Sequence, residues 1–266
     1  MKKKIVRIIV QCVVLLAVAG LFGFVNSERL NAIVSDARVE ISGDSSVHFI
    51  SPEEVLQMLT DKGIPYKTVR KGDINLLEAE TILRQHPAIL SADAYFTVDD
   101  HFRIDIHQRE PVLRIIDLLG ESYYIDREGN FMPMIERYTA RVPVATGYIT
   151  DRFHHLNMSV ADIMKNDSVA AKAITDDLYN VVMAINKDTF LTAQIDQIYV
   201  GADKEIELIP RLGPQSILIG DAAGLEDKLE RLHLFFTKGL PQAGWNCYRT
   251  VNLKFNNQII CTKNTP

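Results

Sequence analysis

Lys2, Lys3, Lys4 and Arg7 run straight into an apolar stretch from Ile8 to Val25, and that stretch constrains everything after it. About 18 residues at 1.5 Å rise cover roughly 27 Å, close to the ~30 Å hydrocarbon thickness of a bilayer. One helix can span. Basic residues are retained on the inner side, so residues 1–7 are expected as a cytoplasmic tip and residues 8–25 as a single N-terminal transmembrane helix. A cleaved secretory signal is the alternative, because Ala17-Val18-Ala19 resembles a small-residue cleavage site. Against it, Leu21, Phe22, Phe24 and Val25 carry the apolar run beyond that site. Gln11 within the run is either an amide near the inner interface or a weak contact to a neighbouring helix.

Residues 26–36 are polar and read as a juxtamembrane linker. The rest of the 266 residues is long enough for one large or two modest domains. Regular punctuation begins at Arg38-Val39-Glu40-Ile41, whose alternation is that of a half-buried strand. Ser51-Pro52-Glu53-Glu54 sets a capping hydroxyl, a proline at the first helical position and a carboxylate three residues past the cap, so a helix starts there and Gly63 ends it. Asn75 with Glu78 repeats the pattern ahead of Ala79, Ile82 and Leu83. Ile89 to Thr97 and Phe102 to Ile106 are the next two strands, separated by the turn-forming Asp99-Asp100. The order β-α-α-β-β predicts a small unit over 37–110, with a three-stranded sheet laid on two helices.

Residues 111–266 are predicted to be a mostly antiparallel β domain with flanking helices, which makes the fold class α+β. Val112–Leu118, Ser122–Ile125 and Phe131 form a meander around the turn Asp126-Arg127-Glu128-Gly129. Val142 to Gly147 is apolar but contains Pro143, and an edge or irregular segment is expected. Helical spacing from Val169 to Ile185 predicts one long helix. Strands follow over 195–200, 205–210 and 216–219, then a helix from Leu225 to about Thr237 with Leu229, Leu232, Leu234 and Phe235 available for burial. The last element is a hairpin of Thr250–Phe255 and Gln258–Thr262 about Asn256-Asn257. A two-residue turn there puts Leu253 opposite Ile260 and Asn252 opposite Cys261. Cys247 then lies outside the reach of Cys261, and free thiols are expected.

No catalytic constellation emerges. His101 and His107 lack partners at metal-ligand spacing, adjacent His154-His155 would point apart in a helix or a strand, and surface histidines are the reading, with no metal and no cofactor. There is no Gly-x-Ser-x-Gly elbow and no phosphate loop. Asp99-Asp100 reads as a turn, and Asp176-Asp177 as the solvated face of a helix. The net charge of −5 is scattered, which excludes a nucleic-acid stripe. Binding is favoured over catalysis, so the chain is not expected to be an enzyme.

The collinear set His86-Pro87-Ala88-Ile89, Gln108-Arg109-Glu110-Pro111-Val112, Tyr124-Ile125-Asp126-Arg127-Glu128-Gly129, Val142-Pro143 with Gly147, Ile219-Gly220 with Lys228-Leu229, and Val251-Asn252-Leu253-Lys254-Phe255 resembles the FtsQ/DivIB bacterial cell-division proteins. The β-α-α-β-β unit looks like their POTRA domain. The chain departs from the family in its very short cytoplasmic tip, and in Asn252-Leu253-Lys254 where Asp-Leu-Arg is common. The resemblance implies a non-enzymatic divisome scaffold in the bacterial inner membrane at the septum, single-pass, with its bulk periplasmic. Its implied partners are FtsB-type and FtsL-type single-span proteins and, through them, septal peptidoglycan synthases. It also implies that a partner adds a strand at the C-terminal β edge, here Gln258, Ile259, Ile260, Cys261 and Thr262. Tyr248 and Trp245 are either aromatic anchors or core residues, and Ile89 to Thr97 is a possible second docking edge. The alternative function is a POTRA-containing envelope assembly or secretion factor.

Overall fold

The structure, a computed structural model, describes residues 11, 13–18, 20, 30–43, 49–156 and 158–264. The expected membrane span falls largely outside them, and among the described residues no helix is long and apolar enough to cross a membrane. The chain divides into two compact units between Gln108 and Arg109.

In the first unit local chemistry decides the elements. Ser51 Oγ accepts from the Glu54 N–H while the Glu54 carboxylate accepts from the Ser51 N–H, which opens the helix Pro52–Asp61. Asn75 accepts from the Glu78 N–H and opens Leu76–Arg84. These helices bury Val55, Leu59, Ala79 and Leu83 against Phe102, Ile104 and Ile106, every second residue of β3 (Phe102–Gln108). Each such leucine contributes about 1.5–3 kcal/mol. β3 is central, with β1 (Ala37–Ser42) parallel on one side and β2 (Ile89–Phe96) antiparallel on the other. The order is thus β-α-α-β-β, as expected.

The second unit is one nine-stranded sheet. Its strands are β4 (Pro111–Ile116), β5 (Ser122–Asp126), β6 (Phe131–Pro133), β7 (Val144–Gly147), β8 (Ile195–Val200), β9 (Ile206–Pro210), β10 (Ser216–Gly220), β11 (Tyr248–Asn252) and β12 (Ile260–Lys263). Their order across the sheet is β12-β11-β10-β9-β8-β7-β4-β5-β6. Pairing is mostly antiparallel, with parallel joins at β4–β7, β7–β8 and β10–β11. The helices Thr175–Ile185 and Leu225–Leu234 bury Leu178, Val181, Val182, Ile185, Leu229 and Leu232 in the same core as Ile115, Ile198, Val200, Leu208 and Ile217.

Several expectations need correction. The Pro143 segment is not an edge: β7 sits between β4 and β8, because the proline lies just outside the strand and only its carbonyl is used, accepting from the Arg114 N–H at 3.0 Å. The long helix is broken into Asp167–Ala170 and Thr175–Ile185. At the break the Asp151 carboxylate accepts from the Ile174 N–H at 2.6 Å and from the Thr175 N–H and hydroxyl at 2.9 Å each, a cap supplied from far along the chain. Asp176 is buried, not solvated, and burial pushes its carboxyl and that of Asp177 up. Leu234 is exposed, and the helix that ends there continues through a π-helical turn at Phe235–Gly239, in which Phe236 takes the buried position. Three further short helices lie outside those expectations: Val160–Met164, opened by a Ser159–Asp162 capping box, Thr189–Gln194, capped by Asp188, and Leu240–Ala243.

Candidate functional site: the C-terminal sheet edge

β12 is the outermost strand at one end of the nine-stranded sheet. It pairs antiparallel with β11 as Asn252↔Ile260, Val251↔Cys261, Thr250↔Thr262 and Tyr248↔Lys263. The register is one residue away from that of a two-residue turn, because the connection runs from Leu253 to Ile259. Asn257 does adopt φ 57°, the left-handed conformation asparagine tolerates. Three carbonyls of the connection are held from outside the hairpin. Arg231, on the Leu225–Leu234 helix, donates from Nη1 to the carbonyls of Phe255 (2.8 Å) and Gln258 (2.5 Å) and from Nη2 to that of Leu253 (3.3 Å). Asp227, one helical turn back, fixes the guanidinium at 2.9 Å.

This arrangement sorts the residues expected at the edge. Gln258 and Ile259 lie in the connection, not in the strand, and the Gln258 carbonyl is turned to Arg231. Ile260 and Thr262 are exposed on one face of β12, with Ile260 45% accessible. Ile259, Cys261 and Tyr248 pack against the core. Tyr248 meets Phe235 at 5.9 Å between ring centroids, and Trp245 stacks on Phe236 at 6.1 Å. Tyr248 therefore supports the hairpin from beneath, whereas Trp245 is exposed and rests on the π-helical turn. Burial pushes the Cys261 thiol up, and Cys247 and Cys261 are both free.

The strand itself carries no proline, and its single charge, Lys263, is at its far end. Past it, the Asn264 N–H donates to the Cys247 carbonyl at 2.9 Å and the Asn264 side chain to the Asn246 carbonyl at 3.1 Å. The tail thus continues alongside the chain preceding β11. Among the described residues no strand pairs with the outer side of β12. A strand edge in that state presents N–H and C=O groups to whatever extended chain approaches.

Two motifs from opposite ends of the first hairpin are joined in space. Arg109 Nη1 donates to Asp126 Oδ2 at 2.6 Å, Arg127 Nε donates to Glu110 at 2.8 Å, and the Arg127 N–H donates to the Glu110 carbonyl. Asp126 is fully buried, and its Oδ1 accepts from the Asn130 N–H, closing the turn. Lys228 is likewise buried and donates to the Asp221 carbonyl and carboxylate at 3.0 Å each, which accounts for a lysine in an otherwise apolar stripe.

His154 and His155 do not point apart. They occupy the 3-10 turn Phe153–Leu156, a geometry that is neither α-helix nor strand, and their ring centroids are 4.0 Å apart. Glu121 Oε2 is 3.2 Å from His154 Nε2 and 2.8 Å from His155 Nε2, while Arg152 donates to Oε1 at 2.6 Å. Hydrogen bonds from His155 and Arg152 hold the Glu121 carboxyl down to about 2. The His-His pair was a visible signal, but the acid lies more than thirty residues earlier.

A POTRA-like module followed by a large mixed sheet is a two-part α+β architecture, and comparison with known families bears on both parts. Residues 32–107 match the POTRA-like domain, and residues 110–262 match the family described as FtsQ/DivIB, C-terminal related. The second match covers more than half of the chain, which belongs to the FtsQ/DivIB family and so to cell division. No curated protein matches the chain.

Proposed function

We propose that the protein is a non-enzymatic divisome scaffold that binds FtsB-type and FtsL-type single-span partners by strand addition at β12 and, through them, engages septal peptidoglycan synthases. In this reading residues 1–7 are cytoplasmic, residues 8–25 anchor the chain in the inner membrane, and residues 26–36 lead to a periplasmic POTRA domain (37–110) and β domain (111–266) at the septum. Tyr248, Gln258, Ile259, Ile260, Cys261 and Thr262 form the partner-binding segment. The observation that carries the proposal is the outer side of β12, the terminal strand of its sheet, with exposed Ile260 and no proline to blunt it. Affinity would come from backbone hydrogen bonds, and selectivity from Ile260 and Thr262, whose side chains share one face.

The test is photocrosslinking in living cells from each position between Gln258 and Thr262, with the captured protein identified by mass spectrometry. Single-span division proteins are the expected capture. Ile260→Pro and Cys261→Pro extend it: successive N–H groups in a strand point to opposite sides, so one variant removes a donor from the outer edge and the other from the β11 ladder. Lost capture with the fluorescence of Trp245 preserved is the expected outcome for the outward-facing position. Unchanged capture in both variants would put the interface elsewhere.

A further inference from the structure

We infer that Glu121, His154 and His155 form a binding site for a divalent transition-metal ion of the zinc class. Their ligand atoms all lie within 4.8 Å of one another. Donors about 2.0–2.2 Å from a shared tetrahedral ion sit roughly 3.3 Å apart, and Glu121 Oε2 already stands 3.2 Å and 2.8 Å from the two imidazole Nε2 atoms. Two imidazoles and one carboxylate are a nitrogen-and-oxygen donor set suited to Zn2+ and leave a fourth position for water.

The surroundings hold these donors in place. Tyr123 stacks on the His154 ring at 4.1 Å and 24°, with Phe131 beyond at 5.7 Å from Tyr123. His154 Nε2 faces the cluster, 3.2 Å from Glu121 Oε2, while Nδ1 is buried with no hydrogen-bond partner among the described residues. Arg152 bonds Glu121 Oε1 and leaves Oε2 for the ion, the outer-sphere role that orients ligating carboxylates. Arg152 Nη2 is also 3.1 Å from His155 Nε2 and must release that nitrogen when the ion enters. Each neutral imidazole then ligates through Nε2 and carries its proton on Nδ1, and any proton held by imidazolium leaves to solvent. The ion would pin the β4–β5 connection, with exposed Leu118 and Leu119, to the Phe153–Leu156 turn.

Full-length protein in detergent, without a polyhistidine tag, should be titrated with Co2+ and read by visible d–d absorption, with Zn2+ as competitor. One Co2+ per chain, displaced by Zn2+, is expected. His155→Ala, at a half-exposed ring, and Glu121→Gln, which keeps the side-chain shape, should each weaken binding at least about tenfold. His101→Ala in the first unit should leave it unchanged. No saturable one-to-one binding in the wild type, less than tenfold weakening in either site variant, or equal weakening in His101→Ala would overturn the assignment.

Discussion

The two ends of the nine-stranded sheet solve the same problem differently. At one end β6 has three residues and finishes on Pro133, and the chain then folds back so that the Ala140 N–H donates to the buried Tyr124 hydroxyl at 3.1 Å. The turn feeding β6 is locked by the buried Asp126 carboxylate and Arg109. At the other end β12 has four residues and no proline, and its support comes from beneath, through Arg231 and the Phe235–Tyr248 contact. A short strand closed by proline discourages pairing, whereas a supported strand with a bare outer side invites it. The contrast teaches that exposure alone does not define a docking edge. What matters is whether the backbone beside it is held in register to receive another chain.

The largest expected effect tests the closed end. Arg109→Ala leaves the buried Asp126 charge without its ion-pair partner and should cost about 3 kcal/mol of stability, read as a lower urea midpoint from Trp245, the single tryptophan. Capture at β12 should persist while the unit is folded. A loss below about 1 kcal/mol would mean that this end is not held by the ion pair. Arg231→Met tests the open end and should cost about 1 kcal/mol, because three carbonyls lose a donor yet remain near water. Its sharper signature is faster amide exchange across residues 253–262 with weaker partner capture, and unaltered exchange there would remove Arg231 from the account.

The smallest effect is chemical. Burial raises the Cys261 thiol above its ordinary value of 9.0, so the reactive thiolate is scarce at neutral pH and grows only as the medium becomes more alkaline. Maleimide labelling followed by peptide mapping should find Cys247 modified well before Cys261, and bound partner should slow Cys261 further. The same shift has a sign for stability. A thiol whose folded pKa is raised loses stability as pH rises past the unfolded value, so the contribution is complete below about pH 8 and declines above about pH 9. Faster labelling of Cys261 than Cys247 would contradict the packing described for β12.

How far the sequence could be read depended on the range of the deciding interaction. Ser51 with Glu54 and Asn75 with Glu78 act over three residues, and both helix starts fall where those residues put them. Ser159 with Asp162 carries the same local signature, so the helix at Val160–Met164 was within reach of the same reasoning. The break before Thr175 was not, because its cap comes from Asp151 across 24 residues. The edge expected at Pro143 fails for a related reason, at β7. Its place between β4 and β8 rests on two parallel pairings with strands distant in sequence, and Pro143 looks prohibitive until it is seen to lie one residue outside the strand. At the site, the terminal hairpin was legible from its alternation, but its register was set by Arg231 on a separate helix. The Glu121–His154–His155 cluster needed the fold to bring a turn and a strand connection together.

β7 carries one more implication. It is the four-residue splice between the β4–β6 meander and the strands from β8 to β12, and it meets β4 through only Arg114↔Val144 and Ile115↔Ala145. At Gly147 the neighbouring backbone is so near that an added methyl carbon would stand 2.2 Å from the Val200 carbonyl oxygen. If a tethered partner pulls on β12 while the rest of the chain is anchored through its first residues, the tension must run through that splice. The narrowest seam in the sheet is then also the link that bears the strain of a constricting envelope.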